Sequence, residues 1–361
     1  MAVMINQTSF SADVSGVLDK DSKQYDLLVV SASFETAADG SIAVSENQAP
    51  VRGVDVCYGE PGLSSVRYEG ETALDKPLVD VLINGSAYAP NGKKAKSVIV
   101  SARVGDVHKE LRVIGDRYWL RGTLSLIPSA PKPFESMPII YERSQGGTAK
   151  RRVDPWNPVG VGYRGARPQV GSVETELPNI EAFRSKSRTG QGPAKRAGFG
   201  VIARNWRPRV GFAGTYDKAW RKEQFPLLPK DFDNRFNQAA PSDQQSAVIQ
   251  GGEPVEIQNM TPRGMLRFVL PRLDVPVRVR YSNRSGTVPL RLDTVLIEPD
   301  RLRLVLIARA KIANTASFGP LEEIVVGHCT NAWWYSRLRN KTYLDNNGLN
   351  GRKPFAQHFS T

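Results

Sequence analysis

Tyr25–Phe34 reads YDLLVVSASF. Ten residues dominated by Leu, Val, Phe and small side chains, without Gly or Pro, predict a buried strand. Asp39-Gly40 follows, a turn dipeptide, and then the short run Ser41–Ser45. Together they predict a hairpin with 38–41 as its loop.

The same grammar recurs on both sides. Val79–Ala89 (VDVLINGSAYA) predicts a strand closed by Pro90-Asn91-Gly92. Ser97–Val104 and Val107–Ile114 flank Gly105-Asp106, a second hairpin. In HKELRVIG, Leu111 and Val113 alternate with charged residues, as expected of a half-solvated strand. Asp116–Leu126 continues the pattern. Strands return at Glu253–Gln258, Met265–Leu270 and Val275–Tyr281. Val288–Ile297 and Arg301–Ile312 flank Glu298-Pro299-Asp300 as a third hairpin. The fold class expected is mainly β, with sandwich-like antiparallel sheets, a long loop-rich middle and a few short helices.

The middle, 127–250, is different. Gly and Pro rise to about one residue in five between Ile127 and Phe236, above average usage. Trp156, Tyr163, Phe199, Trp206, Phe212, Tyr216 and Trp220 make it too aromatic for a flexible linker. Ordered loops are expected, with a short helix at Asp217–Lys222. The chain thus divides into strands at 25–126, the loop-rich middle and strands at 251–312. A C-terminal extension, 313–361, is expected to be partly mobile. It carries Trp333-Trp334-Tyr335, read as core or partner contact.

Composition narrows the class. Hydrophobic residues are 40% and charged residues 24% of the 361, as in soluble globular proteins. Runs such as Leu27–Val30 are too short to span a bilayer, and MAVMINQTSF lacks the features of a secretory signal, so a cytoplasmic location is expected. Cys57 and Cys329 stand far apart and are read as a reduced pair. The net charge is +13, and the window Tyr141–Lys222 holds 17 Lys and Arg against 6 Asp and Glu, a surplus of 11. A basic middle on a nearly neutral frame suggests an acidic partner, or else a solvated surface.

No catalytic constellation emerges. His108, His328 and His358 have no companions at metal-ligand spacing, and no metal or cofactor is expected. Gly146-Gly147 and Gly251-Gly252 lack the pattern of a phosphate loop and are read as turns. Asp231 and Asp233 suit a divalent cation or acid–base pair, or the capping of a turn with Arg235 as ion partner. Arg and aromatic residues interleave at Arg204, Trp206, Arg207 and Arg209, with Arg151 and Arg152 upstream. These six are the candidate partner-binding residues. Phosphates and unpaired bases suit such a mixture, but no recognition-helix period accompanies it. The competing reading makes Trp206 a buried plug and the arginines caps on loop carbonyls.

Ordered motifs across the chain carry a resemblance. They include VCYGEPGLSSVRYEGE (Val56–Glu71), KPLVDVLINGSAYAPNGK (Lys76–Lys93), FESMPIIYERSQGG (Phe134–Gly147), AGFGVIARNWRPRVGFAGTYDKAW (Ala197–Trp220) and LPKDFDNRFNQAAPSDQ (Leu228–Gln244). Their order resembles the bacterial domain-of-unknown-function family 2169, encoded beside VgrG and PAAR genes in type VI secretion loci. The resemblance runs from about Tyr25 to Leu270 and toward Ile312. It implies a non-catalytic adaptor or chaperone that binds a type VI secretion effector, often PAAR- or Rhs-linked, and helps load it on the VgrG spike. An enzymatic or nucleic-acid-binding accessory protein of the same locus is the alternative.

Overall fold

Gln24–Thr36 is the longest strand and lies inside a seven-stranded sheet. In the computed structural model, which describes residues 2–343 except 38, 122, 124–125, 150–151, 163–175 and 184–196, this strand pairs antiparallel with Ser11–Leu18 on one side and Arg303–Ala313 on the other. Ile42–Val44 folds back on it as the expected hairpin. Gly40 makes that turn at φ +89°, and a Cβ there would meet the Arg267 carbonyl oxygen at 2.5 Å. Arg291–Glu298 pairs antiparallel with Arg303–Ala313 and parallel with Val79–Ile83. Gln245–Ser246 closes the far edge.

Side chains alternate across a strand, so burial of every residue from Leu27 to Phe34 means that both sheet faces are covered. One face carries Leu28, Val30, Ala32 and Phe34. The other carries Leu27 and Val29, which join Leu82, Leu296, Val305 and Ile307 in a core with Tyr141, Val201 and Trp206 from the loop-rich middle. Each fully buried Leu, Val or Phe in such a core contributes about 1.5–3 kcal/mol.

A five-stranded antiparallel sheet runs Ile180–Ala182, Val107–Ile114, Ser97–Val104, Pro254–Gln258, Met265–Val269. The hairpin expected at Gly105-Asp106 is one of its two. Val98, Val100, Ala102 and Val104 are buried while Ser97, Ile99 and Arg103 face solvent, the period-two signature of a half-covered sheet. The fold is mainly β, built from several antiparallel sheets with two α-helices among the described residues: α1, Lys218–Glu223, and α2, Asn331–Leu338.

Two details depart from the sequence reading. Val79–Ala89 is not one strand. It breaks at Asn84-Gly85, and Ser86–Tyr88 pairs instead with Ser136–Pro138. A Cβ at Gly85 would press on Pro299 and Met260 at 3.1 and 3.3 Å, so distant residues set the break. The end of the chain also does more than extend it. Two compact units are present: Ser9–Asp274 with Pro289–Asn314, and a smaller one of Met1–Thr8, Val275–Val288 and Thr315–Thr361. The smaller unit takes in residues from the start and middle of the chain as well as from its end. Its four-stranded sheet places Leu321–Val326 centrally, parallel to Val3–Asn6 and antiparallel to Val277–Tyr281, with Ser285–Val288 on the outer edge. In α2, Thr330 caps the first turn, Trp334 is buried and Tyr335 is exposed.

Candidate partner-binding cleft

The segment Ala197–Gln245 contains little regular structure, yet it is fixed from within. Phe199 is fully buried, and its carbonyl accepts from Ile83 N (3.1 Å) and Gln244 Nε2 (2.9 Å). The neighbouring Gly198 is required because a Cβ would lie 2.6 Å from the Tyr141 ring. Trp206 is 3% exposed and meets Tyr141 edge-on, ring centres 5.6 Å apart. Arg209, 2% exposed, donates to the carbonyls of Phe236 (2.8 Å) and Ile202 (2.6 Å) and to Glu69 Oε1 (2.5 Å).

Glu69 opens a buried ionic network. Arg204, half-buried, reaches it at 3.1 Å and donates to the Gly70 carbonyl at 2.8 Å. Lys76 lies 3.8 Å from Glu69, 2.9 Å from Asp80 and 3.0 Å from Thr294 Oγ1. Asp80, fully buried, also accepts from Gln238 Nε2 and the amides of Ala239 and Ala240 at 2.8–3.1 Å. Arg309 pairs with Glu71 and Asp293. Arg204 also reaches Asp55 at 3.4 Å, so five carboxylates (Asp55, Glu69, Glu71, Asp80, Asp293) meet four cations (Lys76, Arg204, Arg209, Arg309). Burial works to raise Glu69, but Arg209, Lys76 and Arg204 prevail and hold it below the usual carboxylate range. Burial works to lower Lys76, but Asp80 and Glu69 prevail and raise it.

Outside this network lies an open cleft of about 920 Å³. Trp156, Phe183, Phe212, Arg207, Arg235 and Lys109 are among its lining residues. Arg235 stacks on Phe212, 4.3 Å from the ring centre, and pairs with Asp233 at 2.6 Å. Lys109 bonds Asp243 (2.9 Å) and Gln244 (2.8 Å); its burial lowers its pKa despite Asp243. Aromatic and guanidinium groups in an open, mainly apolar concavity suit contact with another macromolecule.

The six candidate residues separate here. Arg207 is exposed on the cleft, and Arg152 is exposed in a short strand paired with Thr148–Ala149. Arg204 is half-buried, while Trp206 and Arg209 are interior and serve the loop itself. Arg151 lies outside the described residues, as do Tyr163 and His358. Asp231 accepts from Thr215 N and Oγ1 (3.0 and 2.8 Å), and Asp233 caps the turn at Asn234–Asn237. Both act as turn caps. Cys57 and Cys329 are unbonded. Among the described residues, no group of three or more His, Cys, Asp or Glu side chains is placed to hold a metal ion, and no helix is long and apolar enough to cross a membrane.

The network at Glu69, Glu71, Lys76, Asp80, Asp293 and Arg309 was not among the candidates. The available signal was the position of charges next to apolar strand residues, in YEGE (Tyr68–Glu71) and KPLVD (Lys76–Asp80).

No curated protein and no solved structure matches this chain. The family described as "Uncharacterized protein conserved in bacteria (DUF2169)" matches residues 21–309, which take in the larger sheet from Gln24–Thr36 to most of Arg303–Ala313, the ionic network and the cleft. The chain belongs to this family.

Proposed function

We propose that the protein is a non-catalytic adaptor that acts in the bacterial cytoplasm. It holds a type VI secretion effector, often PAAR- or Rhs-linked, and helps load it on the VgrG spike. The observation that carries this reading is the cleft beside Arg207. Its loops are fixed by Trp206, Arg209 and the ionic network, so its aromatic and basic groups are presented without a large ordering cost on binding. Arg and Trp dominate binding energy at such surfaces.

The nucleic-acid and enzymatic readings rest on other residues. Trp206, the aromatic first considered for base stacking, is interior, although the cleft also presents the exposed Trp156 near Arg207. Acid–base chemistry at Asp231 and Asp233 needs free carboxylates, and both are engaged in turn caps.

Tagged protein, expressed in its native host with the neighbouring genes intact, tests the reading by copurification at moderate salt. Stoichiometric recovery of one effector, with or without VgrG, is the expected result. Recovery of no secretion component while the locus is expressed overturns it.

A further inference from the structure

A second group of arginines surrounds Tyr68. The Arg52 guanidinium lies 4.2 Å from the centre of the Tyr68 ring, and Arg67 lies 5.1 Å from it. Arg67 also lies 5.5 Å from the Tyr58 ring. Arg303 donates to the Tyr68 hydroxyl at 3.4 Å, and that hydroxyl donates to Glu298 Oε1 at 2.5 Å.

These charges do not balance. Glu298, 1% exposed, takes Arg303 as its close partner, with Arg67 at 3.6 Å. Glu69 and Glu71, which follow Tyr68 in the chain, are engaged by Arg209 and Arg309. Glu35 lies opposite Arg303 in the ladder and accepts from the Ser45 hydroxyl at 2.7 Å. Arg52 has no carboxylate within ion-pair distance among the described residues, and Arg67 Nε is buried without a hydrogen-bond partner. Arg67 and Arg303 share Glu298, and Arg52 feels Glu71 and Glu298 only beyond ion-pair distance. Burial lowers the Arg52 pKa and outweighs the attraction of Glu71 and Glu298.

The surroundings describe the missing partner. Val54 and Leu63, 73% and 72% exposed, lie in the same stretch of chain as Arg52 and Arg67, and the exposed Val56 pairs with Tyr68 in a short ladder. The segment Arg52–Glu71 contains two basic residues against Asp55, Glu60, Glu69 and Glu71. A nucleic-acid backbone needs a run of cations, which this segment lacks. A single carboxylate set among apolar side chains fits. It completes the charge of Arg52 and Arg67 while its neighbours cover Val54 and Leu63.

We propose that the Arg52–Arg67–Tyr68 cluster docks an acidic side chain of a partner protein, presented on a segment with flanking apolar residues. The proposal takes from the adaptor reading only that a protein partner exists.

The test uses the full chain and a displayed library of random dodecapeptides. Selected peptides are expected to carry Asp or Glu beside apolar residues. Their binding falls at least about ten-fold in the double variant Arg52→Met/Arg67→Met, as for loss of a charge-assisted contact. The melting temperature of that variant does not fall, because Met keeps the apolar stem and removes an incompletely compensated charge. Enrichment without acidic residues, equal binding by the variant, or preferential capture of single-stranded DNA overturns the proposal, as does self-association blocked by the same variant. If acidic peptides bind as expected but the tagged protein recovers no secretion component, the adaptor reading fails and this site stands. If an effector copurifies equally with parent and variant and the peptides show no dependence on Arg52, the site fails and the adaptor reading stands.

Discussion

Two arginine clusters lie on the same sheet framework and differ in how their charge is closed. Around Glu69 and Asp80, four cations meet five carboxylates, and the central members are buried. Around Tyr68, Arg52 has an aromatic face but no carboxylate at ion-pair distance among the described residues; an unpartnered Nε does not separate the clusters, since Arg67 and Arg309 each have one. A closed network ties loops to the sheet, since breaking it leaves a charge stranded in a low dielectric. An open one keeps binding capacity in reserve. Arginine alone therefore does not mark an interface; what matters is whether the fold already supplies its anion.

The contrast breaks most easily at Asp80. Asp80→Ala removes the acceptor of Lys76, Gln238 and two backbone amides, and a loss of about 3–5 kcal/mol is expected in denaturant titration. A loss below about 1 kcal/mol would mean that the network is not what fixes the loops. Trp206→Ala should cost about 3 kcal/mol by the same measurement, because its cavity opens beneath Tyr141 and the core of the larger sheet.

pH sharpens the comparison. Glu69 is held below its ordinary value of 4.5 in the native state. Its contribution is complete above that value and is lost as pH falls through the lower native one. Lys76 is raised above 10.5, so its contribution is complete below that value and is lost as pH rises through the higher native one. Denaturant midpoints across acid, neutral and alkaline pH should fall at both ends, and Glu69→Gln should shrink the acid limb. An unchanged acid limb in that variant would place the sensitivity elsewhere. The smallest effect on stability belongs to Arg207→Glu, an exposed site with a change within about 0.5 kcal/mol. The same variant should weaken effector capture; unchanged capture by a folded protein would remove Arg207 from the interface.

Local structure was largely legible. Gly105-Asp106 between two alternating runs placed a hairpin whose register runs from Ser97–Ile114 to Val104–Val107. A short helix read at Asp217–Lys222 forms at Lys218–Glu223, with Asp217 as its cap accepting from Trp220 N. What escaped depends on residues far apart in the chain. Arg209 is indistinguishable from Arg207 until Glu69, 140 positions away, is brought against it. The break at Gly85 depends on Pro299. Leu321–Val326 has no strong signal alone and becomes central only when Val3–Asn6 and Val277–Tyr281 flank it. The candidate cleft was half visible for the same reason: the basic and aromatic residue types were evident, but which of them faced outward was not.

Side-by-side thermal melting of Arg309→Met and Arg52→Met tests the division between closed and open clusters most directly. The account predicts that Arg309→Met, which strands Glu71 and Asp293, melts far below the parent or fails to fold, while Arg52→Met melts at or above the parent temperature. Equal losses in the two variants would contradict it and make the Tyr68 cluster one more part of the frame.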